Sequence, residues 1–301
     1  MRSSVRRCTN TRWRPSASGC NQTGAYSSAG SRLRSLGSRL CSPAPGSARI
    51  RSGVCSMHAL CPTARPGAEH TPRYHVGNTL VDRAIGYRVS PSSIPTIEVF
   101  ADIWCPFAHV GLRAVAAQRN ERNREGIAMI VRAWPLELVN SAPMDPSKTE
   151  EHIGHLRDQV VPDMFIGFDR STFPSTTLPA LALVARAYRH GAAIGEQMSL
   201  AVRDALFEEG LDVSDPEVLA RLAARVGTEI PDAADAEMVI ADWHEGQRRG
   251  VIGSPHFFCG DVQAFCPSLD ITRDPEHGMQ ILLDRSGICD FLDRCLSAQQ
   301  P

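Results

Sequence analysis

Cys105-Pro106-Phe107-Ala108 stands where a strand-like run gives way to a helix-like one, in IEVFADIWCPFAHVGLRAV, residues 97–115. A thiol at such a junction faces the unpaired N–H groups and the positive dipole end of the first helical turn, which favours its charged form. His109 lies one helical turn on and, when protonated, would add to the effect. The chemistry expected of Cys105 is nucleophilic attack by a sulfur whose pKa lies below the usual ~8.5. Cysteine is also a common apolar filler, and an unacidified thiol here would fill space or touch a ligand instead. A Cys-x-x-Cys site would place a second cysteine at position 108. With Ala108 there, no disulfide can close across the motif.

A second signal is Ser254-Pro255 in GVIGSPHFF, residues 250–258. Proline is disfavoured inside a sheet, so it must either start the strand or turn the chain. A trans proline is the ordinary case. A cis bond would leave the Ser254 backbone open to pair with an extended peptide or a thiol ligand. Taken with the Cys-Pro junction, we expect the cis form. Cys259 and Cys266 flank the next turn and read as small apolar fillers, with the question of whether either resolves a Cys105 intermediate left open. Cys289 and Cys295 are six apart on a helix, on different faces. His152 and His155, three apart, would make half a metal site with no third ligand placed, so they read as a solvated face and no metal is expected. FDRSTFPSTT reads as a connection and helix start, not a phosphate cradle.

These residues need elements to position them. Ile97, Val99 and Phe100 lead to Ile103 as in a buried strand, and Val110, Leu112, Val115 and Ala116 follow near helical spacing. Pro106 fits the first helical turn, and Gly126 marks the expected stop. IAMIVRAWPLEL, residues 127–138, reads as a second strand whose regular part ends near Trp134. This order predicts a parallel pair with a right-handed crossover. Residues 145–250 read as helices, among them PALALVARAYRHG, SDPEVLARLAARVG and DAEMVIADWHEGQRRG, each with a glycine stop. In the second, Ser214, Pro216 and Glu217 suggest the start, and Leu219, Leu222 and Val226 the buried stripe. SPHFFCGDVQAFCPS predicts a hairpin turning at Gly260-Asp261. A helix over about 286–297 closes the chain.

Composition bounds the rest. The chain has 301 residues, 43% of them hydrophobic, and a formal charge of −1. That balance hides an asymmetry: in residues 1–95 fourteen arginines face only Glu69 and Asp82, a net of +12 that leaves −13 on the remainder. Lys148 is the single lysine. Residues 1–93, rich in Arg, Ser, Gly and Pro without a sustained apolar period, cannot bury enough surface to offset ordering entropy and read as disordered. They lack the apolar core of a secretion signal, so the Asn21-Gln22-Thr23 glycosylation triplet carries little weight. Organelle transit, electrostatic contact with nucleic acid, and a true start at Met57 or near Val76 or Val89 are competing readings of this segment. Cysteines 8, 20, 41, 55 and 61 have no paired or metal-like spacing. No apolar run approaches the length of a membrane span.

The pieces VFADIWCPFAHVGL, STTLPALALVARAYRHG, ALFEEGLDVSDPEVLARLAARVG and RRGVIGSPHFFCGD, in this order, resemble the DsbA-like branch of the thioredoxin superfamily. That branch includes DsbA/FrnE-type oxidoreductases and the 2-hydroxychromene-2-carboxylate isomerase and kappa glutathione transferase proteins. The resemblance covers about two-thirds of the chain. It implies an α/β thioredoxin fold over 94–140 and 233–298, interrupted by an all-helical insertion over 141–232. It also implies that Cys105 is the attacking thiol and that Pro255, preceded by Ser254, is cis and lies beside it. Ala108 departs from the dithiol motif. The expected activity is therefore single-cysteine thiol–disulfide exchange, with a glutathione-dependent isomerase or transferase, or a non-catalytic binding module, as alternatives. No tightly bound cofactor is expected. A low-molecular-weight thiol such as glutathione or mycothiol, or a protein disulfide, is the expected partner, in the cytoplasm, with no nucleic acid or membrane involved in the folded part.

Overall fold

The computed structural model describes residues 96–297 apart from 123 and 125; the expectations for residues 1–93 lie outside the described residues. The chain opens with strand β1 (Thr96–Ala101), helix α1 (Pro106–Glu121) and strand β2 (Ala128–Ala133), and β1 and β2 pair in parallel from Thr96↔Ala128 to Ala101↔Ala133. Helix α1 ends at Glu121, before the expected stop at Gly126, with the Arg122 N–H closing on the Gln118 carbonyl. Cys105 is the residue before α1 and Pro106 its first, so the missing proline N–H costs no helical hydrogen bond.

A helical stretch follows: α2 (Leu136–Val139), α3 (Pro146–Gln159), α4 (Leu178–Tyr188), α5 (Ala192–Phe207), α6 (Pro216–Val226) and α7 (Ala233–Arg248), with a 3₁₀ turn at Arg170–Thr172. The α6 cap is Asp215, whose carboxylate accepts the Glu217 N–H at 2.8 Å; Ser214, suggested by the sequence, bonds Asp212 instead. Its stripe of Leu219, Leu222 and Val226 is buried as expected, and Gly227 ends it at φ 83°. Tyr188 at the end of α4 reaches the sheet, its hydroxyl accepting the Val131 N–H and donating to the Met129 carbonyl.

The chain then returns to the sheet. Strands β3 (His256–Cys259) and β4 (Val262–Phe265) form the expected hairpin around Gly260-Asp261, and β3 lies antiparallel to β1, giving the order β2-β1-β3-β4. A second hairpin, β5 (Leu269–Asp274) and β6 (Gly278–Leu283), forms its own two-stranded sheet before helix α8 (Arg285–Ser297). This hairpin is not among the elements expected from the sequence. Each face of the main sheet is covered. Phe257 meets Phe291 of α8 on one face, while Phe100 and Phe258 pack edge to face on the other beside Trp134. There α7 approaches so closely that a Cβ on Gly246 would lie 2.6 Å from the Trp134 ring.

Candidate active site

The site forms where β1 ends and α1 begins. Cys105 caps α1 with an extended backbone (φ −80°, ψ 110°), and its carbonyl accepts the N–H groups of Ala108 and His109 at 3.1 and 3.2 Å. The Cys105 thiol is 5% exposed and donates to the Ser254 carbonyl at 3.1 Å. The Ser254–Pro255 peptide bond is cis. The Ser254 hydroxyl accepts the Asp102 N–H at 3.0 Å, so one serine ties the backbone before the cysteine and the sulfur itself. Helix α1 can lie against Pro255 because it presents Gly111 there: an added Cβ would stand 3.3 Å from Pro255 Cγ and from Ser268 Oγ.

The sulfur is not acidified in this arrangement. Burial pushes the Cys105 thiol up, and the Asp102 carboxylate pushes the same way; the Ser254 contact and the Ala108 and Phe107 N–H groups oppose them without prevailing. The expected acidification rested on the helix start and His109, against the alternative of an unacidified apolar filler. A thiolate there does meet the N–H groups, but it must also give up its water, and desolvation is the larger effect.

His109 also departs from expectation. Its ring is fully buried between Phe165 and Phe207, with centroids 5.3 and 5.1 Å away, and Nε2 pairs with Glu208 Oε1 at 2.8 Å. Burial holds its pKa below the ordinary histidine value despite Glu208, so near neutral pH it brings no charge to Cys105. It joins α1 to the end of α5. Phe107 packs on the His152 ring at 5.2 Å, which gives that histidine a packing role; among the described residues no cluster of His, Cys, Asp or Glu has a metal-holding arrangement.

Two charged residues near the thiol were missed by the sequence reading. Asp102 is fully buried; its carboxylate accepts the Trp104 N–H at 3.0 Å, the Thr177 hydroxyl at 2.9 Å and the Leu136 N–H. It thereby fastens the end of β1 to α2 and to the start of α4, and burial raises its pKa. Arg203, on α5, is also fully buried. It donates to the Asp102 carbonyl at 3.1 Å and to the Ser199 carbonyl at 2.8 Å. Burial lowers its pKa to about 10, against the pull of Asp102 and Cys105, so it stays charged at neutral pH. An acid inside the apolar run FADIWC was a readable signal for Asp102. Arg203 gave none, because an arginine on a helix is ordinarily solvated.

Of the other cysteines, Cys259 and Cys295 hydrogen-bond each other, which leaves Cys259 the more acidic of the two. Cys266, buried, has its N–H on the Pro255 carbonyl at 3.0 Å. The Cys105-Pro106 and Ser254-Pro255 motifs, about 150 residues apart in sequence, are thus in contact, and Cys266 joins them. His152 and His155 lie on α3, outside this contact.

The profile of the DSBA-like thioredoxin domain matches residues 96–272, which contain every residue of this contact. Among solved structures, the chain is similar to two proteins with provisional assignments. One is a protein disulfide isomerase from Nitrosomonas europaea, at TM-score 0.51 and 15% identity, over 69% of this chain and 100% of that one. The other is a DsbA oxidoreductase from Streptomyces coelicolor, at TM-score 0.52 and 18% identity, over 69% and 92%. At such identities the likeness speaks to the fold. No curated protein sequence matches the chain. The domain profile spans more than half of the chain, over strands and helices in the order of a thioredoxin fold with a helical insertion, and the protein belongs to the DSBA-like thioredoxin domain family.

Proposed function

We propose that the protein is a thiol–disulfide oxidoreductase that works through Cys105 and runs in the reducing direction. The observation that carries this reading is the seating of Cys105: the cap of α1, with its sulfur 3.1 Å from the Ser254 carbonyl next to Pro255 and no cysteine at position 108. A disulfide substrate placed along Ser254 would have a sulfur within reach of Cys105, with the Phe107 and Ala108 N–H groups facing the charge during attack. The direction follows from the thiol. Strong oxidants of this chemistry owe their potential to a stabilised thiolate, whereas burial works against a Cys105 thiolate. The thiolate of a high-pKa thiol is scarcer but intrinsically more nucleophilic, and it is a poorer leaving group, which suits it to receive a disulfide rather than to donate one. Turnover then needs a low-molecular-weight thiol, glutathione or mycothiol in class, and the cytoplasm supplies a reducing pool. Among the described residues no helix is long and apolar enough to cross a membrane.

The test is reduction of a peptide disulfide by the full chain with glutathione as the electron source. Cys105→Ser is expected to lose at least about a hundredfold in rate, since it removes the attacking atom. A Cys105→Ser protein as active as the wild type would sink the proposal.

One observation favours a second reading. A neutral Cys105 that donates its S–H to a carbonyl could equally donate to a bound thiolate, as a glutathione-dependent isomerase or transferase would require. Such an enzyme would bind glutathione but leave the peptide disulfide intact, and Cys105→Ser, which keeps a donor, would retain most of the binding.

A further inference from the structure

Cys266 follows β4 and has φ 46°, the left-handed region that cysteine enters at a cost and glycine enters freely. Its N–H is held by the Pro255 carbonyl at 3.0 Å, while the Cys105 thiol is held by the Ser254 carbonyl at 3.1 Å. Consecutive carbonyls of one dipeptide thus hold the Cys105 sulfur and the Cys266 backbone. Both are buried free thiols at 5% exposure. The other candidate on the hairpin, Cys259, sits at the far end of β3 and is hydrogen-bonded to Cys295 of α8.

We propose that Cys266 is the resolving thiol of the site, replacing the cysteine that the motif lacks at position 108. This rests on Cys105 being the attacking thiol, as argued above. In the first step the Cys105 thiolate attacks one sulfur of a substrate disulfide RS–SR′. The Cys105–S–SR bond forms, and R′S⁻ leaves and takes a proton. In the second, Cys266 gives up its proton to solvent and attacks the Cys105 sulfur, forming a 105–266 disulfide and expelling RS⁻, which is protonated in turn. The substrate disulfide is reduced to two thiols and the enzyme dithiol is oxidised. Two equivalents of a low-molecular-weight thiol then reduce the enzyme and emerge as their own disulfide.

Burial holds the Cys266 thiol up at about 12, so it rests as the neutral thiol until it gives up its proton in the second step.

The experiment uses the reduced full chain, mixed with glutathione disulfide, quenched in acid, alkylated and mapped by peptide mass spectrometry. Wild type should yield a peptide linking Cys105 to Cys266 and release two glutathiones per chain. Cys266→Ser, and Cys266→Gly, which accepts the left-handed backbone and so guards against misfolding, should stall with one glutathione on Cys105 for at least about tenfold longer. Three results would overturn the proposal. Glutathione kept on wild-type Cys105 as long as on the variants, or Cys105 linked to a different cysteine, leaves Cys105 as the nucleophile and removes Cys266. If Cys105 is unmodified in wild type and in both variants, the attacking role of Cys105 falls as well.

Discussion

Around Cys105 the competition is between a helix start that invites negative charge and a shell that withholds water. The thiol donates to the Ser254 carbonyl while the Asp102 carboxylate stands close enough to oppose its ionisation. Burial fixes the sign and the carboxylate adds to it: deprotonation puts a second negative group beside Asp102 in a place with little water to screen it. Alkylation of Cys105 by iodoacetamide should therefore accelerate only above the ordinary thiol range, and Asp102→Asn should move the rate profile to lower pH. An unchanged profile in Asp102→Asn would show that burial alone sets the pKa. The Cys-Pro junction and Ser254-Pro255 were legible from residue types, because proline leaves the backbone few choices. The pKa direction and the turn of His109 toward Glu208 were not. The first depends on burial beside Ser254 and Asp102, and the second on Glu208, Phe165 and Phe207, none of which spacing along α1 reveals.

The elements hold the site through close approaches that small residues permit. On the sheet face opposite α1, α7 meets Trp134 and Phe100 at Gly246. Replacing a helical glycine by alanine ordinarily gains about 0.5–1 kcal/mol in backbone entropy. Here the new methyl would stand 2.6 Å from the Trp134 ring and 3.0 Å from the Phe100 ring, both buried and fixed by their neighbours. Overpacking of this kind costs about 1–3 kcal/mol, so the clash wins. Gly246→Ala should lower the urea midpoint, and a raised midpoint would mean that α7 can shift on the sheet. Long, strongly patterned elements such as α1 and α6 were readable, as was the β3–β4 hairpin with its Gly-Asp turn. The β5–β6 hairpin was not. Of its twelve residues only Leu269, Met279 and Ile281 are buried, so it lacks the apolar run that marks a strand.

Across the whole molecule, the thioredoxin sheet and the inserted helices meet at a buried charge. Arg203 of α5 donates to the carbonyl of Asp102 at the end of β1, with no solvent to take over if the contact is lost. Breaking a buried charged contact by removing one side typically costs about 3–5 kcal/mol. Arg203→Met, similar in length and apolar, should fall toward the lower end of that range in urea unfolding, because it fills the space while leaving Asp102 without its positive neighbour. A stability equal to wild type would show the arginine to be dispensable packing. The joining of distant segments has a further effect during synthesis. The carbonyl that accepts the Cys105 S–H hydrogen bond belongs to a residue 149 positions downstream. At ~5–20 residues per second the ribosome needs on the order of ten seconds to deliver it. For that interval the nascent Cys105 is an uncovered thiol in water, easier to ionise than it will be in the finished protein and without a neighbour at position 108 to trap it. The newborn chain is thus open to cellular oxidants at its most important atom, and the last segments to emerge are the ones that put it under cover.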